Sequence, residues 1–100
     1  MIVYEVNLEI RDGVADAFRT WLDGHVAEIL TLPGFVSAEI LERRDPPSAT
    51  GTLALVVHYR LTDEASLQRY FDEHAPRMRE DGLRRFGDAF TATRRVLANA

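Results

Sequence analysis

The stretch TLALVVHYRL, at residues 52–61, decides the fold of this chain. Its odd-numbered positions are Leu, Leu, Val, Tyr and Leu, and its even-numbered positions include Ala54 and Val56. A strand that is apolar on both faces is typical of the middle of a sheet that is covered on both sides. We therefore expect a central strand here, with helices on one face and a second layer on the other.

The N-terminal residues predict another strand. From residue 2 to residue 10 the even positions are apolar, while Glu5, Asn7 and Glu9 stand between them. This period of two is typical of a half-buried strand. The three polar residues share the face turned away from the apolar side, so any surface that covers that face has to be mixed in character.

A helix and a second strand are predicted between these two stretches. Apolar residues recur at spacings of three and four from Val14 to Leu32, which indicates an amphipathic helix. Pro33-Gly34 ends it, and residues 35–44 follow as a strand. Residues 45–51, DPPSATG, then form the clearest loop of the chain.

The C-terminal part predicts more helix and a last strand. Thr62 or Asp63 can cap a second amphipathic helix. Pro76 interrupts that helix and can stand in the first turn of a further helical piece, which ends near Gly87. Residues 90–97 are predicted to form the fourth strand.

The element order is therefore β-α-β-β-α-β, within a single domain over residues 1–100. This order is the ferredoxin-like plan of the α+β class, a four-stranded antiparallel sheet with its helices on one face. A weak internal repeat supports this plan, because WLDGH at residues 21–25 of the first helix resembles YFDEH at residues 70–74 of the second.

Composition narrows the function classes. All twelve cationic side chains are arginine, and the formal net charge is −4. An acidic chain lacks the excess of positive charge on which non-specific nucleic-acid binding rests. No apolar run approaches the length of a membrane span, no signal-peptide pattern stands at the start, and no cysteine is present. We expect a cytoplasmic protein that contacts neither nucleic acid nor membrane.

Several residues spread along the chain form a recognisable pattern. They are Tyr4 in the first strand, the helical pair Trp21 and His25, the segment Tyr70-x-x-x-His74-Ala75-Pro76, and then Phe86, Phe90 and Arg94-Arg95. This pattern resembles an uncharacterised family of small bacterial proteins, a domain of unknown function within the dimeric α+β barrel superfamily. That superfamily also includes antibiotic-biosynthesis monooxygenases, whose passage from helix to strand often reads like LPGF at residues 32–35. Haem-degrading monooxygenases and stress-responsive barrels belong to it as well.

The resemblance implies a homodimer in which two sheets face each other. It also implies a cavity in each subunit between the sheet and the helices. The two apolar faces predicted for residues 52–61 suit both implications. Asn7 matches the place of a first-strand asparagine in the haem-degrading relatives, but the tryptophan and histidine that those relatives use at the second helix are absent here. We therefore expect Asn7 to be an interface or solvent residue.

His25 and His74 are the candidate catalytic residues. Both lie on apolar helical stripes, and a histidine directed at a bound carbon acid could serve as a general base. Either one could instead be a hydrogen-bonded histidine that orients a helix end. The spacing of the histidines forms no metal-ligand pair, so we predict neither metal nor cofactor.

Tyr4, Trp21, Tyr59 and Tyr70 are candidates for the lining of an aromatic pocket, although inward aromatic residues are also ordinary core. Arg94 shares a strand face with apolar neighbours and therefore needs an anion. A carboxylate of the first strand is the favoured partner, with the acid group of a bound small molecule as the alternative.

These observations predict a homodimeric α+β barrel protein that binds a small molecule. The alternative is a cofactor-independent monooxygenase or isomerase that acts on an aromatic or polyketide-like substrate through His25 or His74. A histidine that opens into a cavity walled by Trp21 or Tyr70 would favour the enzyme. The sequence leaves open whether the protein is an enzyme.

Overall fold

The computed structural model describes residues 1–100 and contains four strands and three helices. The strands are β1 (Ile2–Arg11), β2 (Phe35–Glu42), β3 (Thr52–Leu61) and β4 (Phe90–Ala98), and the helices are α1 (Ala15–Ile29), α2 (Glu64–Glu73) and α3 (Ala75–Phe86). Short 3-10 turns precede α1 and β4. The predicted element order is confirmed, including the division of the second helical segment near Pro76.

The four strands form one antiparallel sheet in the order β2-β3-β1-β4. The central pair β1 and β3 aligns Tyr4 with Tyr59 and Glu5 with His58. This order, with all helices on one side, is the ferredoxin-like fold that the sequence predicts. None of the helices combines the length and the apolar character that crossing a bilayer requires.

The hydrophobic core lies between the sheet and the helices. Even-numbered residues of β1 and odd-numbered residues of β3 point to this side, because successive side chains of a strand alternate between its faces. Their aliphatic and aromatic side chains pack against α1 and the α2–α3 segment. The largest fully buried side chains of this core are those of Tyr4, Ile10, Phe18, Ile29, Val57 and Leu61.

The boundaries of the helices have local causes. The backbone N–H of Ser66 donates to the side chain of Asp63 over 2.8 Å, which caps α2 as the sequence predicts. Helix α1 ends at Ile29, three residues before the predicted end at Leu32. At Gly34 the backbone has φ of +86°, and a Cβ there would lie 2.3 Å from the Cβ of Ser66, so only glycine fits where β2 begins.

The other side of the sheet, the open sheet face, carries no helix. It consists of the odd-numbered residues of β1, the even-numbered residues of β3 and the residues paired with them in β2 and β4, among them Val56, Leu41 and Leu97. Leu41 and Leu97 are exposed, and Val56 is half-buried. Glu5, Asn7 and Glu9 of β1 lie on the same face. The open sheet face is therefore mixed in polarity, as the polar residues of the first strand led us to expect.

Glu5 is a charged residue buried within the open sheet face, with 5% of its surface exposed. Its carboxylate accepts hydrogen bonds from Asn7 (2.8 Å), from Arg95 through Nε and Nη2, and contacts Nε2 of His58 at 2.9 Å. The Arg95 guanidinium is the main reason why the pKa of Glu5 falls to about 2. Glu5 is therefore an ionised, fully partnered group at neutral pH.

Candidate functional site

A cavity of about 370 Å³ lies between the helix side of the sheet and the helices, and we call it the helix-side cavity. Fourteen of its nineteen lining residues are hydrophobic, and its volume lies within the ~300–1,000 Å³ range of small-molecule sites. Two small residues belong to its lining, Ala92 on β4 and Gly82 on α3. Leu83, Thr91 and Arg94 belong to the lining and are exposed, so the cavity reaches solvent on that side.

The structure places six of the seven candidate site residues on this one cavity. They are Tyr4, Trp21, His25, Tyr59, Tyr70 and Arg94. They come from five different elements. Side chains on the helix side of β1, β3 and β4 and side chains on the sheet side of α1 and α2 point into the same space. His74 is the candidate that does not line it.

Trp21 and His25 are part of the wall that α1 contributes to the cavity. Their rings stack with centroids 4.4 Å apart and an interplanar angle of 25°, which the i, i+4 spacing on a helix allows. The indole Nε1 of Trp21 donates to Oδ2 of Asp81 on α3 over 2.9 Å. This hydrogen bond is the largest cause of a pKa of about 2 for Asp81, so the acceptor is a carboxylate throughout the neutral range.

His25 is neutral at physiological pH. Burial lowers its pKa from 6.5, and the positive charge of Arg94 lowers it further against the opposing charges of Glu28 and Asp81. Neither ring nitrogen makes a hydrogen bond to a protein group. The imidazole is thus a free base at the edge of an apolar cavity, which is the protonation state that a proton acceptor needs.

Three tyrosines form the opposite wall. Tyr4 stacks on Tyr59 with centroids 5.8 Å apart, and Tyr70 lies 5.9 Å from Tyr4. Burial raises the pKa of Tyr70 to about 12 and that of Tyr59 still further, so both phenols keep their protons. No hydrogen bond joins these tyrosines to a histidine, and the hydroxyls of Tyr59 and Tyr70 have no protein partner.

Arg94 is on the predicted strand face, but the prediction that it pairs with a carboxylate of the first strand was wrong. In the β1–β4 ladder Arg94 lies opposite Val6 on the helix side, whereas Arg95 lies opposite Glu5 on the open sheet face. Glu5 therefore pairs with Arg95, and Glu9 pairs with Arg43 at 2.7 Å. Arg94 forms no ion pair and lines the cavity instead.

Sequence reasoning missed two residues of α3 at this site, Arg79 and Asp81. Nη2 of Arg79 donates to the hydroxyl of Tyr4 over 3.2 Å, and its guanidinium lies 5.8 Å from the ring centre of Phe71. The spacing of Ala75, Arg79 and Gly82 puts all three on one helical stripe. That stripe was the available signal, since it assigns Arg79 to the buried side.

His74 lies at the junction of α2 and α3. Its Nδ1 is 2.6 Å from Nη2 of Arg77, and its backbone carbonyl accepts from Met78. Both contacts lie at a helix end, which is where the second of the two roles considered for His74 would place it.

The lining of the helix-side cavity contains no carboxylate, and His25 is its single side chain of a type that commonly binds metal ions. No group of three or more His, Cys, Asp or Glu in the chain could hold a metal ion. The polar side chains of the lining are therefore three phenols, an indole, an imidazole, the hydroxyl of Thr91 and two guanidinium groups.

Solved structures with this fold include three that span nearly the whole chain. SnoaB from Streptomyces nogalater, a cofactor-independent oxygenase, is 20% identical with a TM-score of 0.71, covering 99% of this chain and 93% of its own. A candidate antibiotic-biosynthesis monooxygenase from Deinococcus radiodurans is 12% identical with a TM-score of 0.75, covering 100% and 93%. An ethyl tert-butyl ether d (EthD) family protein from Bacillus halodurans is 15% identical with a TM-score of 0.68, covering 100% of both chains.

At these identities the likeness establishes the fold alone. The chain has no significant match among curated proteins. A family model does match it over residues 1–100, that of a domain of unknown function, DUF4286. The resemblance drawn from the sequence is thereby confirmed, and the chain belongs to the DUF4286 family.

Proposed function

We propose that this protein binds a small, flat, aromatic molecule in the helix-side cavity. The observation that carries the proposal is the convergence of Trp21, Tyr59 and Tyr70 on one solvent-reaching space of about 370 Å³. Rings arranged around a space offer stacked and edge-on contacts to a planar guest. Burial of the guest also removes apolar surface from water, which contributes about 25 cal/mol per Å².

The polar groups of the cavity suit the oxygen atoms of such a guest. The hydroxyls of Tyr59 and Tyr70 have no protein partner, so a carbonyl or phenol of a ligand can take their hydrogen bonds without breaking others. A few polar groups within an apolar lining are the usual composition of a small-molecule site.

The test is a titration with N-phenyl-1-naphthylamine, a neutral aromatic probe whose fluorescence rises in apolar surroundings. We expect saturable binding of one probe per chain. Ala92→Phe places a ring in the cavity and should weaken binding at least about tenfold, because each 1.4 kcal/mol of lost contact is a factor of ten. Ala27→Phe adds the same ring on the exposed side of α1 and should bind as the wild type does.

Unsaturable binding, or equal binding by Ala92→Phe and the wild type, would reject the cavity as the site. Circular dichroism of both variants shows that the fold is retained.

A second candidate function is catalysis, and the neutral His25 at the cavity edge is the observation that favours it. In this reading His25 takes a proton from an acidic C–H group of the bound substrate. The carbanion is then reprotonated elsewhere, as in an isomerase, or adds dissolved O2 and regains the proton as a hydroperoxide, R–H + O2 → R–OOH. SnoaB, described as a cofactor-independent oxygenase, shares this fold.

Proton abstraction is measured directly by hydrogen–deuterium exchange of the methylene group of anthrone, an aromatic carbon acid, in deuterated buffer. His25→Gln should abolish exchange above the buffer rate, while His74→Gln should retain it, because His74 lies outside the cavity. If wild-type exchange does not exceed the buffer rate, or the two variants exchange alike, the catalytic candidate fails and binding alone remains.

We further propose that two copies associate through the open sheet face. Support comes from the exposed Leu41 and Leu97 beside the half-buried Val56 on a face that no helix covers. The carboxylates of Glu5, Glu9 and Glu39 on that face form ion pairs with Arg95, Arg43 and Arg60, so each carboxylate already has a partner when the face is covered. The cytoplasmic location expected from the sequence stays a prediction.

A further inference from the structure

The arginines of this chain divide into two groups. Seven of the twelve form an ion pair with a carboxylate: Arg43, Arg44, Arg60, Arg69, Arg84, Arg85 and Arg95. Of the other five, Arg11, Arg19 and Arg77 are exposed away from the cavity. The remaining two, Arg79 and Arg94, both line the helix-side cavity, whose lining holds no acidic residue.

Arg79 is held at the cavity with unused hydrogen-bonding capacity. Its Nη2 donates to the hydroxyl of Tyr4 at 3.2 Å, and its buried Nε has no partner. A buried guanidinium N–H without an acceptor is costly, because the desolvation of a charged group is then uncompensated. Nε of Arg79 is therefore open to an acceptor that the chain itself does not provide.

Arg94 stands at the solvent side of the same cavity. It projects from β4 on the helix side, opposite Val6, and is exposed. Its charge acts on groups across the cavity, since it opposes the rise in the pKa of Tyr59 and of Tyr70 that burial causes. Two positive charges thus act on one apolar space whose lining contains no acidic residue.

We infer that Arg79 and Arg94 form an anion subsite and that the ligand of the helix-side cavity is an aromatic carboxylate. The aromatic body lies among Trp21, Tyr59 and Tyr70, and the carboxylate is bound by the guanidinium groups. The planar fork of arginine matches a carboxylate, and such charge-assisted hydrogen bonds are about twice as strong as neutral ones. This inference rests on the proposed function, since it specifies what the cavity binds.

The experiment compares two probes of one shape, 2-naphthoate and 2-naphthamide, by isothermal titration calorimetry. We expect the wild type to bind the carboxylate at least about tenfold more tightly than the amide, since a hydrogen bond to a charged group is the stronger one. Arg79→Gln and Arg94→Gln should each reduce this preference, and the double variant should abolish it. Arg19→Gln, an exposed residue of α1, changes the net charge equally and should leave the preference intact.

A second measurement guards against loss of fold in the variants. In the wild type alone, the preference for naphthoate should fall as NaCl is raised, because salt screens the charges at the open side of the cavity.

The outcomes separate the two proposals. If the wild type binds both probes equally, the anion subsite is rejected while the binding cavity stands. If neither probe binds, the proposed function fails and the subsite fails with it. A preference for naphthoate that survives in the double variant, with its fold intact, would also reject these two arginines as its source.

Discussion

The indole Nε1 of Trp21 donates a hydrogen bond of 2.9 Å to Oδ2 of Asp81, a residue sixty positions further along the chain. This contact joins α1 to α3 and holds the Trp21 ring in place as a wall of the helix-side cavity. Asp81 is itself held by Arg84 and Arg85, at 3.1 and 3.3 Å. The position of the cavity wall therefore depends on a carboxylate outside the cavity.

Removal of this carboxylate should loosen the wall. In Asp81→Ala the indole N–H loses its acceptor, and we expect a melting temperature several degrees lower and a broader, red-shifted emission from Trp21, the only tryptophan of the chain. The double variant Arg84→Gln/Arg85→Gln removes the exposed ion pairs but keeps the Trp21 hydrogen bond. It should change little, because exposed ion pairs contribute little to stability. An equal loss in both proteins would show that the ion pairs, and not the indole contact, stabilise this region.

Gly82 allows α3 to approach Trp21 closely. A Cβ at this position would lie 2.9 Å from Cη2 of Trp21, whose ring cannot shift without disturbing its contacts with Asp81 and His25. We expect Gly82→Ala to destabilise the protein by about 1–3 kcal/mol, as overpacking does. Urea unfolding measures the change.

Gly24 provides the matched control. It lies in the middle of α1, and a Cβ there meets no atom within 4 Å. Gly24→Ala should stabilise the protein by roughly 0.5–1 kcal/mol, because alanine is the better helix former. A gain of the same size in both variants would contradict the close approach at Gly82.

Acid should destabilise the protein through Glu5. Its pKa is about 2 in the folded chain against 4.5 for a free side chain. The unfolded chain therefore takes up the proton first, so the stability that Glu5 contributes is complete above pH 4.5 and is lost as the pH falls towards 2. In Glu5→Gln the free energy of unfolding should be lower at pH 7 and should fall less steeply in this range. An identical pH slope in both proteins would show that Glu5 is not the group responsible.

Association through the open sheet face is tested at Val56. Size-exclusion chromatography with light scattering should give the wild type twice the chain mass of 11.3 kDa. Val56→Asp should give monomer or aggregate, because an unpaired charge in a desolvated interface costs several kcal/mol, on the order of 3–5. Ala27→Asp places the same charge on the exposed side of α1 and should remain a dimer. A wild-type mass of 11.3 kDa at micromolar concentration would contradict the proposal.

The fold was predictable because the regular spacing of apolar residues in the sequence is uninterrupted within each element. Residues 52–61 have the apolar pattern of a central strand, and the structure places β3 between β1 and β2. The alternation also assigned Arg94 and Arg95 to opposite faces. The wrong ion pair came from joining Arg94 to a carboxylate of the first strand, although Arg94 was on the apolar face and Glu5 and Glu9 were on the polar one. Strands of one sheet share their faces, so Arg95 was the consistent partner.

The site was less predictable than the fold. Tyr4, Trp21 and Tyr70 could be assigned to inner faces from their spacing, but whether those faces enclose a core or a cavity depends on volumes that a pattern does not contain. His74 follows the same apolar spacing as His25, yet the helix breaks beside it and its ring contacts Arg77. Arg79 could have been found from its helical stripe, whereas its unpaired Nε could not.

The central claim, that the helix-side cavity binds an aromatic molecule, is tested most directly by locating a bound probe. In two-dimensional ¹H–¹⁵N NMR the chain gives a single indole signal, from Trp21. We predict that titration with 2-naphthoate moves this signal to saturation, together with the amide of Gly82 and, in a ¹H–¹³C spectrum, the methyl groups of Val57 and Ala92. The methyl groups of Val56 and Leu97, on the open sheet face, should stay in place. Shifts confined to the open sheet face, or an indole signal that does not move, would contradict the account.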